Sequence, residues 1–136
     1  MTVIRSRRSE SEVQFLATAR ELEKYTIQKC KSAIPKGYMY LVSVHLAELA
    51  SDVHNLVKQG NKIYPLNLHE VQMRRDKFVE ALGKLDALVA KIEVAYEIVH
   101  FEEKIMHEWS RLIDEEMRLV SAVIKKDRER YKNITQ

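Results

Sequence analysis

The strongest periodic signal in this chain is a run of apolar residues at alternating steps of four and three. The run comprises Phe78, Leu82, Leu85, Val89, Ile92, Tyr96 and Val99. Such spacing aligns apolar side chains along one face of an α-helix, as in a coiled coil. Asn67 and Glu70 precede the run at the spacing of a capping box, in which two side chains satisfy amides of the first turn. The pattern predicts one long helix over about residues 68–99.

Three further apolar stripes complete a set of four predicted helices, which cover about residues 10–33, 39–59, 68–99 and 102–130. Ser9 and Glu12 fit a capping box at the start of the first helix, and Pro35 stops that helix. Gly60 follows the second helix, and we expect it to take the left-handed conformation of a C′ residue. No glycine or proline separates the last two helices. We place a break near 99–102 because an unbroken helix would leave the core without a fourth wall.

Composition favours an all-α fold. Only 3 Gly and 2 Pro occur in a chain that is 46% hydrophobic and 32% charged, which is typical of long amphipathic helices. Short connections favour antiparallel neighbours, so we predict an all-α, antiparallel up-down four-helix bundle over 9–131, with a basic tail, 1–8, and a C-terminal tail, 132–136. No apolar stretch approaches the roughly 18 residues that span a bilayer. With no secretory signal and one cysteine, Cys30, the protein is expected in the cytoplasm.

Few residues stand in patterns that support catalysis or metal binding. Glu97 and His100 form one Glu-x-x-His motif, whereas the di-metal sites of helical bundles use two. Cys30 lies on the apolar stripe of the first helix, where a thiol acts as a small buried hydrophobe rather than as a nucleophile. Trp109 also falls at a helical core position. We therefore predict no catalytic residue, no metal site and no cofactor; a metal-dependent enzyme built on Glu97 and His100 stays open as an alternative.

Positive charge is concentrated near the ends of the chain, although the net charge is only +3. If successive helices alternate in direction, one end of the bundle collects the starts of helices one and three and the ends of helices two and four. We call this the basic end, and its basic residues are Arg5, Arg7, Arg8, Lys58, Lys62, Arg74, Arg75, Lys77, Lys125, Lys126, Arg128, Arg130 and Lys132. Clustered lysines and arginines are typical of proteins that bind phosphate backbones, although cations also favour the last turn of any helix. We predict that the basic end binds nucleic acid.

Several short motifs carry a family resemblance. They are the Ile34-Pro35 helix break with Lys36-Gly37 after it, the Gly60-Asn61 turn, the Tyr64-Pro65 loop and the basic opening MRRDK of the third helix. In these features the chain resembles the accessory variability determinant (Avd-like) proteins of diversity-generating retroelements. It is also similar to the related four-helix proteins encoded in ribosomal-RNA intervening sequences.

The resemblance implies a four-helix protomer that forms a pentameric ring and binds nucleic acid through a basic surface. It implies a partner reverse transcriptase, and a non-catalytic role in copying template RNA into mutagenised complementary DNA. Arg74 and Arg75 are the residues that the resemblance places on the binding surface. The alternative is a structural oligomeric four-helix scaffold that docks a protein partner without nucleic acid, using a partly apolar fourth helix around Trp109.

Overall fold

The computed structural model describes the backbone of residues 10–136 and the side chains of residues 13–136. Within that part of the chain it has four α-helices and no strand: α1, Glu10–Ala33; α2, Val44–Lys62; α3, Leu68–Val99; and α4, Glu103–Arg130. The predicted all-α fold class is confirmed, and a break near 99–102 is present. None of these helices combines the length and apolar character needed to cross a membrane. The side chains of the predicted cap, Ser9 and Glu12, lie outside the described part of the chain.

The connection between α1 and α2 is more structured than the predicted start at about 39 implied. A 3-10 turn covers Lys36–Tyr38, and a π-helical turn covers Met39–Ser43. Pro35 precedes them in an extended conformation, with φ −59° and ψ 148°, so the chain changes direction before the α-helix can begin. A π turn carries one more residue per hydrogen-bonded ring than an α turn. These turns leave Tyr38 and Val42 packed against the core.

Both ends of α3 are capped. Asn67 Oδ1 accepts a hydrogen bond from the Glu70 amide at 2.9 Å, as predicted for an N-cap. Glu70 Oε1 accepts from the Leu66 amide at 2.7 Å, one residue before the N-cap. At the other end His100 adopts the left-handed conformation, with φ 57°, and its amide donates to the Tyr96 carbonyl. The break between α3 and α4 is therefore made by a left-handed histidine, at a position where glycine is the usual residue.

The four helices enclose one core, because α1 and α3 each pack against both α2 and α4. The buried stripe of α3 keeps the alternating steps of four and three, but it comprises Arg74, Phe78, Ala81, Leu85, Leu88, Ile92 and Ala95. The predicted seam placed Leu82, Val89 and Tyr96 in the core, whereas these side chains are only partly buried. The predicted seam is thus displaced by one residue at three positions, where Ala81, Leu88 and Ala95 face the core instead.

Trp109 anchors the core at the end where α3 passes into α4. Its indole N–H donates to Thr26 Oγ1 at 2.8 Å, and the Thr26 hydroxyl donates to the Leu22 carbonyl at 2.8 Å. The Phe101 ring lies 5.7 Å from the Trp109 ring. The predicted core position of Trp109 is confirmed, so its side chain is not available to dock a partner.

Gly60 does not end α2, which corrects the predicted C′ role. The helix continues to Lys62, and Gly60 has no positive φ. A Cβ on Gly60 would lie 2.7 Å from Cε1 of Phe78, a side chain that is fully buried. The glycine is needed because the Phe78 ring of α3 packs directly on the backbone of α2.

Gly60→Ala is expected to lower the free energy of unfolding by about 1–2 kcal/mol, because overpacking against Phe78 outweighs the helical gain of alanine. Gly83 provides the matched control, since it lies within α3 and a Cβ there meets no atom within 4 Å. Gly83→Ala should raise stability by roughly 0.5–1 kcal/mol. Urea unfolding followed by circular dichroism measures both effects, and equal stabilisation by the two alanines would contradict this packing.

Candidate nucleic-acid interface

Three helix ends meet around the buried side chain of Arg74, which is only 5% exposed. Its Nε donates to Asp127 Oδ2 at 2.6 Å, and its Nη2 donates to Asp127 Oδ1 at 3.3 Å. Its Nη1 donates to the carbonyl oxygens of Gly60 and Ile63, each at 3.1 Å. The guanidinium also lies 5.0 Å from the centroid of the Phe78 ring. One side chain of α3 thus joins the end of α2 to the last turn of α4.

The position of Arg74 corrects its predicted role as a phosphate contact. Four of its five N–H groups are used within the protein, and Asp127 neutralises its charge. A buried arginine whose charge is paired adds little to the attraction of a polyanion at the surface. Arg74 is therefore a structural residue that holds the basic end together.

Most of the other predicted basic residues are accessible. Arg75 and Lys77 are partly exposed, and the exposed set comprises Lys58, Lys62, Lys125, Lys126, Arg128, Arg130 and Lys132. Lys132 pairs with Glu129, and Arg130 lies 3.7 Å from Asp127. The remaining seven have no ion-pair partner among the residues that the structure describes. Arg5, Arg7 and Arg8 lie outside those residues.

The basic residues of α4 divide between two faces. Lys125 and Arg128 are three residues apart and lie on one face of α4. The chain then runs from this face toward Lys132, which follows the helix. Lys126 and Arg130 are four residues apart and lie on another face. The structure thus brings together only part of the predicted set on any one surface.

The first of these faces borders a cavity of about 250 Å³ between the first turns of α3 and the last turns of α4. Four apolar side chains line it: Leu68, Val71, Ile124 and Ile134. Three basic residues also line it: Arg75, Arg128 and Lys132. The segment after α4 folds back to this place, where the Leu68 amide donates to the main-chain oxygen of Gln136 at 3.0 Å. An apolar depression with a basic rim is therefore part of the basic end, and the sequence pattern did not reveal it.

The other candidate chemical groups do not converge on a site. Glu97 and His100 are both exposed at the end of α3. Among the described residues, no three His, Cys, Asp or Glu side chains lie close enough to hold a metal ion. Cys30 is half-buried, its thiol donates to the Ser43 carbonyl at 3.6 Å, and burial raises the pKa of the thiol. A raised pKa disfavours the thiolate, which is the nucleophilic form.

Glu116 is a buried acid that sequence reasoning missed. Its side chain on α4 is fully buried, and neither carboxyl oxygen has a hydrogen-bond partner among the described residues. Burial, with a smaller contribution from the neighbouring Glu115, raises the pKa of Glu116 to about 9. The acid is therefore neutral at pH 7, and it is a cost to stability rather than a surface charge.

Comparison with family models, with curated proteins and with solved structures finds no significant match to this chain. Within the described residues, the fold defines its class, which is an all-α four-helix bundle. The Avd-like resemblance stays a prediction that rests on the sequence motifs.

Proposed function

We propose that this chain is a non-catalytic, nucleic-acid-binding accessory protein of a diversity-generating retroelement reverse transcriptase. In the cytoplasm it would assist template-RNA-primed mutagenic cDNA synthesis, with the reverse transcriptase and the template RNA or cDNA as partners. The observation that carries the binding part of the proposal is the accessible group of Arg75, which is partly exposed, and Lys125 and Arg128, which are exposed; this group lacks ion-pair partners among the described residues. The retroelement part is supported by the motif resemblance.

Phosphate binding follows from the charge of this group. Exposed cations without intramolecular partners release condensed counterions from a nucleic acid when they contact its phosphates. The guanidinium groups of Arg75 and Arg128 match phosphate in a bidentate geometry that lysine lacks. Asp127 and Glu129 flank Arg128 along α4, and their pairing with Arg74 and Lys132 limits their repulsion of phosphate.

A salt series with two charge-matched double variants tests this proposal. Arg75→Gln with Arg128→Gln removes two charges from the basic end, whereas Lys31→Gln with Lys36→Gln removes two exposed charges from the opposite end. For single-stranded RNA, the first pair should reduce the slope of log affinity against log salt by about 1.4, and the second should leave it unchanged. Fluorescence anisotropy of a labelled RNA measures both slopes, and equal reductions from the two pairs would contradict a localised interface.

We also propose that the helices run in an antiparallel, up-down order and that protomers assemble into a pentameric ring. The helix order is supported by Arg74, near the start of α3, which bonds to the ends of α2 and α4. It is also supported by Trp109, near the start of α4, which bonds to Thr26 in the second half of α1. The ring is supported by the resemblance alone.

A second candidate function is an oligomeric scaffold that docks a protein partner without nucleic acid. Exposed apolar residues at the end opposite the basic end favour it, since Tyr40 is 80% exposed and Leu41 is also exposed. They lie near a cavity of about 300 Å³ lined by Ile27, Ile34 and Met39. The scaffold would not bind RNA at low salt, so the same titration separates the two functions.

A further inference from the structure

We infer that the cavity between α3 and α4 holds one unpaired nucleotide, with the base on the apolar floor and its phosphates at the basic rim. This inference rests on the proposed nucleic-acid binding and adds a preference for single strands. Two kinds of surface meet within this depression: apolar side chains line the inside, and cations lie at the edge.

The floor suits a nucleobase. Leu68, Val71, Ile124 and Ile134 provide apolar contacts, and the half-buried ring of Tyr131 also lines the cavity. The guanidinium of Arg74 lies 5.8 Å from the centroid of that ring, and its buried bond to Asp127 makes it a fixed support. Bases stack on aromatic side chains with little regard to sequence, because every base has a π face.

The rim suits the phosphates that flank such a base. Arg75 lines the cavity from α3, and Arg128 lines it from α4. Asp127 is the one acid among the lining residues, and both its oxygens bond to Arg74. Lys132 also lines the cavity, although it pairs with Glu129. Arg75 and Arg128 are therefore the two rim arginines that can bind an anion, because neither has an ion-pair partner among the described residues.

The size of the cavity selects an unpaired base. At about 250 Å³ it is smaller than the pockets that take drug-sized ligands, so it fits one flat ring system. A base within a duplex would first have to leave its stack, which costs free energy. We therefore expect single strands to bind more tightly than blunt duplexes of equal charge.

The direct test uses the unmodified protein and two labelled 12-nucleotide strands, one with bases and one abasic, which carry the same number of phosphates. The strand with bases should bind about tenfold more tightly by fluorescence anisotropy at low salt. Equal binding of both strands would overturn the cavity inference and leave phosphate binding intact. Binding of neither strand would overturn the proposed function itself, and the inference with it.

Two pairs of variants locate the effect. Tyr131→Leu should remove most of the tenfold difference, whereas Tyr40→Leu, at the opposite end of the bundle, should preserve it. If Tyr131→Leu does not fold, Val71→Phe fills the cavity instead, and Val79→Phe on the same helix is its control outside the cavity. A difference between the two strands that survives in the cavity variants would overturn this location for the base.

Discussion

Replacing Arg74 by alanine is expected to lower the free energy of unfolding by about 3–5 kcal/mol, the usual cost of breaking a buried ion pair from one side. The variant would leave the Asp127 carboxylate, whose side chain is 12% exposed, without its bidentate partner. It would also remove the donor that serves the carbonyl oxygens of Gly60 and Ile63. Urea unfolding monitored by circular dichroism measures the loss.

The adjacent arginine is the matched control. Arg75→Ala should change stability by no more than about 0.5 kcal/mol, because Arg75 is partly exposed and has no ion pair among the described residues. It should weaken RNA binding, whereas Arg74→Ala should affect mainly folding. A double variant, Arg74→Met with Asp127→Leu, should recover much of the stability, since no unpaired charge stays buried. Equal destabilisation by Arg74→Ala and Arg75→Ala would contradict the assigned roles.

Stability is expected to fall as pH rises from about 5 to 9, because of Glu116. Its pKa is raised from the ordinary 4.5 to about 9 in the folded protein. Between these values the folded state keeps a proton that the unfolded chain releases, so raising the pH favours unfolding. One proton corresponds to about 1.4 kcal/mol per pH unit, and the loss between pH 5 and pH 8 is therefore on the order of 4 kcal/mol.

Glu116→Met should remove this contribution and stabilise the protein at pH 8. The substitution keeps an unbranched side chain and removes two buried oxygens that lack hydrogen-bond partners among the described residues. Glu93→Met is the control, because Glu93 is exposed on α3 and its replacement should leave the pH dependence unchanged. Denaturant midpoints at several pH values provide the readout. Parallel pH profiles for the unmodified protein and Glu116→Met would contradict a buried neutral acid.

The helical class of the described chain could be predicted from hydrophobic spacing, because amphipathic stripes repeat at the period of the α-helix. The N-cap at Asn67 was also predictable, since its chemistry is local. The left-handed histidine at the end of α3 was not, because His100 carries no distinctive signal for that conformation. The sequence predicts the break only through packing, because a bundle core needs a fourth helix to enclose it.

The roles of the polar core residues depended on tertiary structure. Arg74 stands four residues before Phe78 and so lies on the same buried face of α3. This spacing indicates burial, whereas the charge of an arginine favours a surface position. Glu116 lies four residues before Val120 on the buried face of α4 in the same way. Local sequence predicts a helix end at Gly60 because glycine is common there, whereas the structure needs glycine at this position because the Phe78 ring of another helix packs on it. Burial of these residues is decided by contacts between helices, which local spacing does not show.

Binding of the unmodified protein to a labelled single-stranded RNA over a salt series tests the central claim most directly. With Arg75, Lys125 and Arg128 as the contacts, log affinity should fall against log salt with a slope of about −2, since each contact on a single strand contributes roughly −0.7. Binding that is undetectable at low salt, or that does not weaken as salt rises, would contradict a phosphate-binding basic end.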